Sequence, residues 1–144
     1  MVTIKPCTVQ QVKDSGLTDG YAEYAIEGLP PCQVQWESHE LMEATGTIKV
    51  FGAFDDFMLI GFVSVIPYRS LHYGQMMLTT ESFFVAKQYR SIGAGLKLLR
   101  AVERYTKEIG AAGLLVTAPY GQELDTVLKG KNYIPTHNVY FKPA

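Results

Sequence analysis

The 144-residue sequence has little charge and few cysteines, and both shortages exclude classes of protein. Only 19% of its residues are charged and the net charge is −1, which disfavours a disordered chain or a basic nucleic-acid-binding surface. Cys7 and Cys32 are the only cysteines, too few for a disulfide framework. No apolar stretch reaches the length of a membrane span, and the N-terminus lacks the apolar segment of a signal peptide. We therefore expect a soluble cytoplasmic protein with no nucleic-acid partner and no membrane partner.

The histidines show no metal-binding spacing either. His39, His72 and His137 stand far apart in the sequence, and the two cysteines are not arranged as a metal knuckle. Folding can bring distant ligands together, so sequence distance alone does not exclude a site. The sequence itself predicts no metal.

The sequence does contain enough apolar material for one core. At 47% hydrophobic residues, a chain of this length fits one domain, and it shows no repeat or linker. Interspersed strand-like and helix-like stretches predict a single α+β domain over 1–144. The predicted strands are 2–5, 47–54, 58–67, 79–86, 114–117 and 133–141, and the predicted helices are 8–15, 19–27, 33–44, the segment from the glycine turn to 109, and 122–128.

Turn and cap signals refine this prediction. Thr8 and Gln11 have the spacing of a capping box at the start of the first helix. Asp55-Asp56 predicts a hairpin with a longer turn, and Gly61 marks a bulge in its second strand. The segment 67–74, rich in Tyr and His, is predicted to be a loop.

The stretch 79–109 combines a strand, a glycine turn and an amphipathic helix, and the rest of the chain is arranged around it. The strand is aromatic and β-branched, and Gly93 and Gly95 leave the following turn without side-chain cover. A helix N-terminus exposes backbone N–H groups, which attract an anion together with the helix dipole. This turn is therefore predicted to hold a diphosphate. The apolar face of the helix comprises Leu98, Leu99, Val102, Tyr105 and Ile109.

Two common phosphate-binding patterns do not fit the turn. The dinucleotide pattern requires a glycine three residues after Gly95, where Leu98 stands, and the nucleoside-triphosphate pattern requires Gly-Lys-Ser/Thr, which is absent. What remains is Arg-x-x-Gly-x-Gly, from Arg90 to Gly95, directly after a strand that carries Glu81.

This arrangement resembles the acyl-CoA pyrophosphate motif of the GNAT superfamily of N-acetyltransferases. The resemblance is specific over 79–109 and diffuse elsewhere. It implies a GNAT-like mixed, mostly antiparallel central sheet flanked by helices, with acetyl-CoA as cofactor. It also implies direct transfer of acetyl to a small-molecule or peptide amine. The residues it assigns to the cofactor are Phe84, Val85, Arg90, Ser91, Ile92, Gly93, Ala94 and Gly95; among them the Val85 N–H would donate to the thioester carbonyl oxygen.

Glu81 is the predicted catalytic base. An amine of lysine type has a pKa near ~10.4, so a proton must be removed before attack. Strand alternation predicts that Glu81, Phe83 and Val85 share one face, which would place the carboxylate beside apolar neighbours and favour a base. By resemblance, GNAT enzymes often carry their base on this strand. The alternative is a carboxylate that bonds across strands or faces solvent.

The sequence departs from the family where the proton donor to the thiolate is expected. Aligning the family's Tyr-Glu-Lys-x-Gly-Phe segment places Leu128 at the acid's position, and Gly121 falls where an asparagine is usual. Tyr120, Tyr133 and solvent remain candidate donors. A catalytically silent domain that binds CoA or a protein partner therefore stays as the alternative function.

Charge asymmetry and aromatic residues bear on the acceptor. No Lys or Arg occurs between Lys13 and Lys49, which suits a cationic substrate, although solvated helix faces explain the same pattern. Polyamine, antibiotic, peptide N-terminus and lysine side chain all remain open. A homodimer is compatible with the sequence, which leaves the oligomeric state open. The candidate acceptor-site residues are Tyr24, Trp36, Tyr68, His72 and Tyr73.

Overall fold

A five-stranded sheet forms the centre of the fold in the computed structural model, which describes residues 1–144. The strand order is β1-β2-β3-β4-β5, with antiparallel pairing up to β4 and parallel pairing of β5 on β4. The prediction of an α+β fold with a mostly antiparallel sheet is therefore confirmed. The strands are β1 (Val2–Pro6), β2 (Lys49–Asp55), β3 (Met58–Arg69), β4 (Met76–Val85) and β5 (Gly113–Leu115).

Helices cover both faces of the sheet. They are α1 (Val9–Ser15), α2 (Trp36–Ala44), α3 (Ala94–Glu108) and α4 (Glu123–Lys129), with 3₁₀ helices at Leu17–Tyr24 and Lys87–Ile92. The capping box predicted for α1 is present, since the Thr8 side chain accepts from the Gln11 N–H and Gln11 bonds back to the Thr8 N–H. No helix combines the length and the apolar character needed to cross a membrane.

The core has two parts, one on each face of the sheet. On the first face, α3 places Leu98 and Val102 against Val63, Leu78 and other residues of β2–β4. On the second face, α1 and the first 3₁₀ helix cover a cluster that includes Val50, Phe62 and Phe84. Adjacent strand residues therefore serve different cores, as the period of a strand requires.

Three predicted elements differ from the structure. The segment 133–141 forms no strand; Pro135 lacks an N–H for a ladder, and Ile134, Val139 and Tyr140 stay exposed, so no apolar burial offsets the ordering of a strand. The second helix is 3₁₀ and ends at Tyr24, where Ala25 adopts an extended ψ of 134°. The 67–74 loop starts at Ser70, because β3 stays paired with β4 through Arg69.

The β2–β3 hairpin is confirmed, but its turn is tight. Asp55 pairs with Met58, so only Asp56 and Phe57 connect the strands, and Asp56 takes a positive φ of 53°. The bulge expected at Gly61 is present beside it. Pairing passes from Ala53 with Gly61 to Phe54 with Leu59, which leaves one extra residue in β3.

Candidate active site

An open edge of β4 marks the candidate site. β5 pairs with β4 only over Met77–Thr79, whereas β4 continues to Val85. Beyond Thr80, whose hydroxyl accepts from the Thr117 N–H at 3.0 Å, no strand covers that side of β4. The edge of β4 is therefore uncovered by any strand where β4 leads toward α3.

The glycine turn lies at the end of this open edge. Gly93 adopts a left-handed φ of 82° and caps α3 without any side-chain bond. The N–H of Lys97, bonded to the Gly93 carbonyl oxygen at 3.1 Å, is the first to close a helical turn, so the N–H groups before it can meet an anion. A Cβ at Gly93 would meet no atom within 4 Å, and Ser91 and Ile92 are exposed. The turn is therefore open to a ligand.

Gly95 is packed differently from Gly93. A Cβ there would lie 3.8 Å from the Val85 side chain and 3.9 Å from the Phe83 ring, which are ordinary contacts. Gly95 therefore faces β4 and not the open side of the turn. Ala94 beside it is fully buried, so within 93–95 the bare backbone of Gly93 provides the approach.

Arg90 is held by protein groups in a way that the sequence did not indicate. Its Nε donates to the Val85 carbonyl oxygen at 2.8 Å, and its Nη2 donates to Glu23 Oε1 at 2.7 Å. The guanidinium also lies 5.7 Å from the Tyr24 ring centre and 5.4 Å from that of Phe84. The Glu23 carboxylate raises the pKa of Arg90, and Arg90 lowers the pKa of Glu23. Arg90 thus links the turn to the end of β4 through its bond to the Val85 carbonyl oxygen.

The predicted face of Glu81 is wrong. Pairing passes from Ser64 with Ser82 to Val65 with Thr80, so Glu81 is the extra residue of a β-bulge in β4. Phe83 and Val85 pack with the α3 core, but Glu81 points to the α1–α2 side. The bulge interrupts strand alternation, which is the rule that produced the prediction. The carboxylate consequently meets polar partners instead of an apolar surface.

Those partners form a connected network. The Ser64 hydroxyl donates to Glu81 Oε2 at 2.7 Å and accepts from the Ser82 N–H at 3.1 Å. The Tyr21 hydroxyl donates to the Ser82 hydroxyl at 2.9 Å, and burial raises the pKa of Tyr21 to about 12. Tyr21 therefore stays protonated and holds the bulge in place.

His39 on α2 faces the same carboxylate. Its Nε2 lies 3.3 Å from Glu81 Oε1, and its Nδ1 lies 2.8 Å from the Gln35 carbonyl oxygen. A carbonyl oxygen can only accept, so Nδ1 carries a hydrogen and the neutral ring presents a lone pair at Nε2 toward Glu81. The gap between Nε2 and Oε1 can therefore receive one proton. His39 follows Trp36 by three residues. Because residues three apart lie on the same face of a helix, the sequence could have predicted that these two side chains are neighbours.

A cavity of about 270 Å³ opens in front of Glu81. The sheet provides its floor, and the segment 32–36 together with α1 and α2 provides its walls. No group of three His, Cys, Asp or Glu side chains is arranged to hold a metal ion. Its polar lining includes Glu81, His39, Ser64, Ser82, Gln33 and Gln35, and its apolar lining includes Val12, Val34, Trp36, Ile48, Val50 and Phe62.

Of the predicted acceptor residues, the structure brings only Trp36 into this cavity. Tyr24 instead meets the Phe84 ring edge to face and lies beside the Arg90 guanidinium. Tyr68, His72 and Tyr73 lie at the β3–β4 turn, outside the cavity lining, because β3 runs on to Arg69 before the chain reverses. The structure therefore does not bring these three residues together with Trp36.

The candidate donors to a thiolate differ in their surroundings. Leu128 is buried in α4. Tyr133 donates to Glu103 Oε2 of α3 at 2.9 Å, and burial together with this bond raises its pKa. Tyr120 is 92% exposed and lies two residues before Gln122, the N-cap residue of α4. Tyr120 is thus the unengaged phenol of the two.

Comparison with known proteins gives a family match and a shared fold. Residues 16–122 match the sequence model of the Acetyltransferase (GNAT) family. The ribosomal-protein-alanine N-acetyltransferase of Brucella melitensis biovar Abortus 2308 superposes with a TM-score of 0.77 at 17% identity, covering 100% of this chain and 99% of that one. A transcriptional regulator from Bacillus halodurans C-125 gives 0.77 at 18% identity, covering 99% of each chain.

A third similar structure is that of a complex. It is an aminoglycoside acetyltransferase from an uncultured soil metagenomic sample, in complex with sisomicin, with a TM-score of 0.76 at 16% identity; 99% of this chain and 95% of that one are covered. At such identities these three structures show a common fold. No curated protein sequence matches the chain.

Proposed function

Because the chain belongs to the acetyltransferase (GNAT) family, we propose that it is an acetyl-CoA-dependent N-acetyltransferase that transfers acetyl directly to an amine. The observation that carries the proposal is the open N-terminus of α3 at Gly93, which follows the part of β4 that β5 leaves unpaired. Glu81 lies on that same part of β4. A candidate anion site, an uncovered strand edge and a candidate base thus lie along β4 and the turn that follows it.

The chain's own residues fit the diphosphate of CoA. The N–H groups at the start of α3 and the exposed turn at 91–93 would hold its two phosphates. Arg90 would support the turn from behind through Val85, because its guanidinium is already paired with Glu23. Phe84 and Val85 lie on the part of β4 that β5 does not pair with, so their main chain would receive the acetyl-bearing arm. When bound, acetyl-CoA supplies an activated thioester.

Glu81 and His39 would remove the proton from the amine. The ammonium binds at Glu81 and gives up one proton, which Glu81 Oε1 and His39 Nε2 then share. The neutral amine nitrogen would then be able to bond to the acetyl carbon of bound acetyl-CoA, whose carbon–sulfur bond would break. Tyr120 or water would give a proton to the leaving thiolate, and the amine's second proton would pass through water to replace it. Ser64 keeps the Glu81 carboxylate oriented throughout through its 2.7 Å bond.

A catalytically silent CoA-binding domain remains the second candidate. The buried Leu128 stands at the position of the family's proton donor, which favours this alternative. Calorimetric titration with CoA tests the anion site under both candidates. Release of free thiol from acetyl-CoA, measured with a panel of amines, separates them, because only the enzyme releases thiol in proportion to the amine.

Glu81→Gln tests the base directly. General-base catalysis contributes about 10²- to 10⁴-fold, so we expect kcat to fall at least ~100-fold while the Kd for CoA stays unchanged. Glu40→Gln is the matched control, since it neutralises an acid on α2 next to His39 but outside the cavity lining. Equal kcat values for Glu81→Gln and the wild type would show that Glu81 is not the base.

A further inference from the structure

We propose that the acceptor is a compact primary amine on an apolar, aryl-sized body, which inserts into the cavity in front of Glu81 with its ammonium toward that carboxylate. This inference rests on the proposed function and names the substrate class of the same site. Four properties of the cavity carry it: its apolar lining, its single carboxylate, its satisfied polar groups and its size.

The lining is mostly apolar. Nine of its sixteen residues are hydrophobic. Val50 and Phe62 of the sheet and Val12 of α1 are buried in the second core. Trp36 packs against that core, and both Trp36 and Val34 are partly exposed. Burying an apolar ligand against such a surface lowers the free energy, whereas a hydrated ligand would find few hydrogen-bonding groups there.

Only one anionic side chain lines the cavity. Glu81 is the sole Asp or Glu there, and His39 lies beside it with Nε2 3.3 Å from Glu81 Oε1. Tyr21 and Cys32 also line the space, but the Tyr21 hydroxyl is committed to Ser82. A single carboxylate matches one ammonium group. A polyamine or an aminoglycoside would bring several cations into a cavity that can pair one.

The polar groups around the Glu81 carboxylate already have partners. Ser64 bonds Glu81 and Ser82, Tyr21 bonds Ser82, and the Gln35 side chain donates to the Gln33 carbonyl oxygen. No buried side-chain polar atom in the structure lacks a hydrogen-bond partner. A sugar or a peptide would therefore bring hydroxyl or amide groups that find no free partner beside Glu81, and leaving such groups unpaired weakens binding.

The size of the cavity limits the ligand further. Its volume of about 270 Å³ lies below the range typical of pockets for drug-sized molecules, roughly 300–1,000 Å³. A one-ring amine is a suitable occupant. The amine enters along the segment 32–36, where Cys32 and Gln35 are exposed.

The first test compares four amines by thiol release at saturating acetyl-CoA: 2-phenylethylamine, spermidine, glucosamine and a tripeptide with a free N-terminus. Burial of a phenyl-sized group corresponds to about 10- to 100-fold in an equilibrium constant, so kcat/KM should favour 2-phenylethylamine by that factor. Preference for any of the other three overturns the substrate class and leaves the proposed acetyl transfer intact.

A second test uses the wall of the cavity. Trp36→Ala should raise KM for 2-phenylethylamine about 10-fold and leave KM for ethylamine, which lacks the ring, nearly unchanged. Phe57→Ala removes a 98% exposed aromatic from the β2–β3 turn and serves as the control. Equal changes for both amines in Trp36→Ala would contradict insertion of the ring, provided that circular dichroism shows both variants folded.

A third test does not depend on catalysis. Trp36 is the only tryptophan and lines the cavity, so its fluorescence reports binding there. If no amine is acetylated, the proposed function fails, and this titration still decides the ligand class. A saturable change with 2-phenylethylamine that spermidine does not produce supports the inference. No saturable change with 2-phenylethylamine overturns it.

Discussion

The glycine turn gives the sharpest prediction, because the chain contains a matched control for it. Gly93 and Gly110 stand at opposite ends of α3, at φ values of 82° and 71°, and a Cβ at either would meet nothing within 4 Å. The helix between them has 15 residues, so the two positions are about 22 Å apart or more. Alanine at either site therefore introduces the same backbone strain at widely separated places.

The strain and the effect on binding can be estimated separately. A left-handed conformation costs an L-residue about 1–2 kcal/mol, so Gly93→Ala and Gly110→Ala should both lower the unfolding temperature by a few degrees. Only Gly93→Ala places a methyl group where the diphosphate would approach. Loss of one hydrogen bond to a charged group costs about 1.5–3 kcal/mol, which raises the Kd for CoA roughly 10- to 150-fold.

Calorimetric titration with CoA and thermal unfolding should be measured on the same preparations. The expected pattern is equal destabilisation of the two variants with weakened CoA binding in Gly93→Ala alone. If folded Gly93→Ala bound CoA as tightly as the wild type, the diphosphate would not lie at this turn. Equal weakening in both variants would assign the effect to strain.

Three further predictions concern groups around the site. Gly95→Ala should stabilise the protein by about 0.5–1 kcal/mol in thermal unfolding and leave CoA binding unchanged, because its Cβ would meet β4 at ordinary distances within a helix; destabilisation would contradict this placement. Glu23→Gln should lower stability relative to an Asp19→Asn control above about pH 4.5, the usual pKa of a glutamate. Because the Arg90 bond lowers the pKa of folded Glu23, this difference should shrink as the pH falls through that lowered pKa; a difference that persists at acid pH would refute the pairing. N-ethylmaleimide should modify exposed Cys32 first, since burial raises the pKa of Cys7 to about 11; mass spectrometry that found Cys7 labelled as fast in the folded protein would be inconsistent with this structure.

The position of Glu81 shows where local reasoning about a strand stops being sufficient. Its place on β4 was predictable, since Phe83, Phe84 and Val85 identify the strand. The face to which its side chain points was not predictable. The bulge places Glu81 and the β4 side chains before it on the face opposite to the one that strict alternation predicts. The bulge depends on pairing with Ser64 of β3, which no local pattern encodes.

The sequence by itself determined the elements whose signals are local. The capping box of α1, the apolar face of α3 and the glycine turn between β4 and α3 follow from residue types at short spacing, because caps, helix periods and φ preferences act within a few residues. The family resemblance came from the stretch 79–109, which contains this turn and α3. The predicted strand at 133–141 failed because a strand also needs a partner.

Tertiary structure alone decided which distant groups meet. It brought His39 to Glu81, paired Arg90 with Glu23 across 67 residues of sequence, and enclosed a mostly apolar cavity behind Trp36. Such contacts depend on how α1, α2 and the first 3₁₀ helix pack on the sheet, a property of the whole core. Hydrogen bonds and ion pairs act over a few ångströms in space, and sequence separation sets no limit on them.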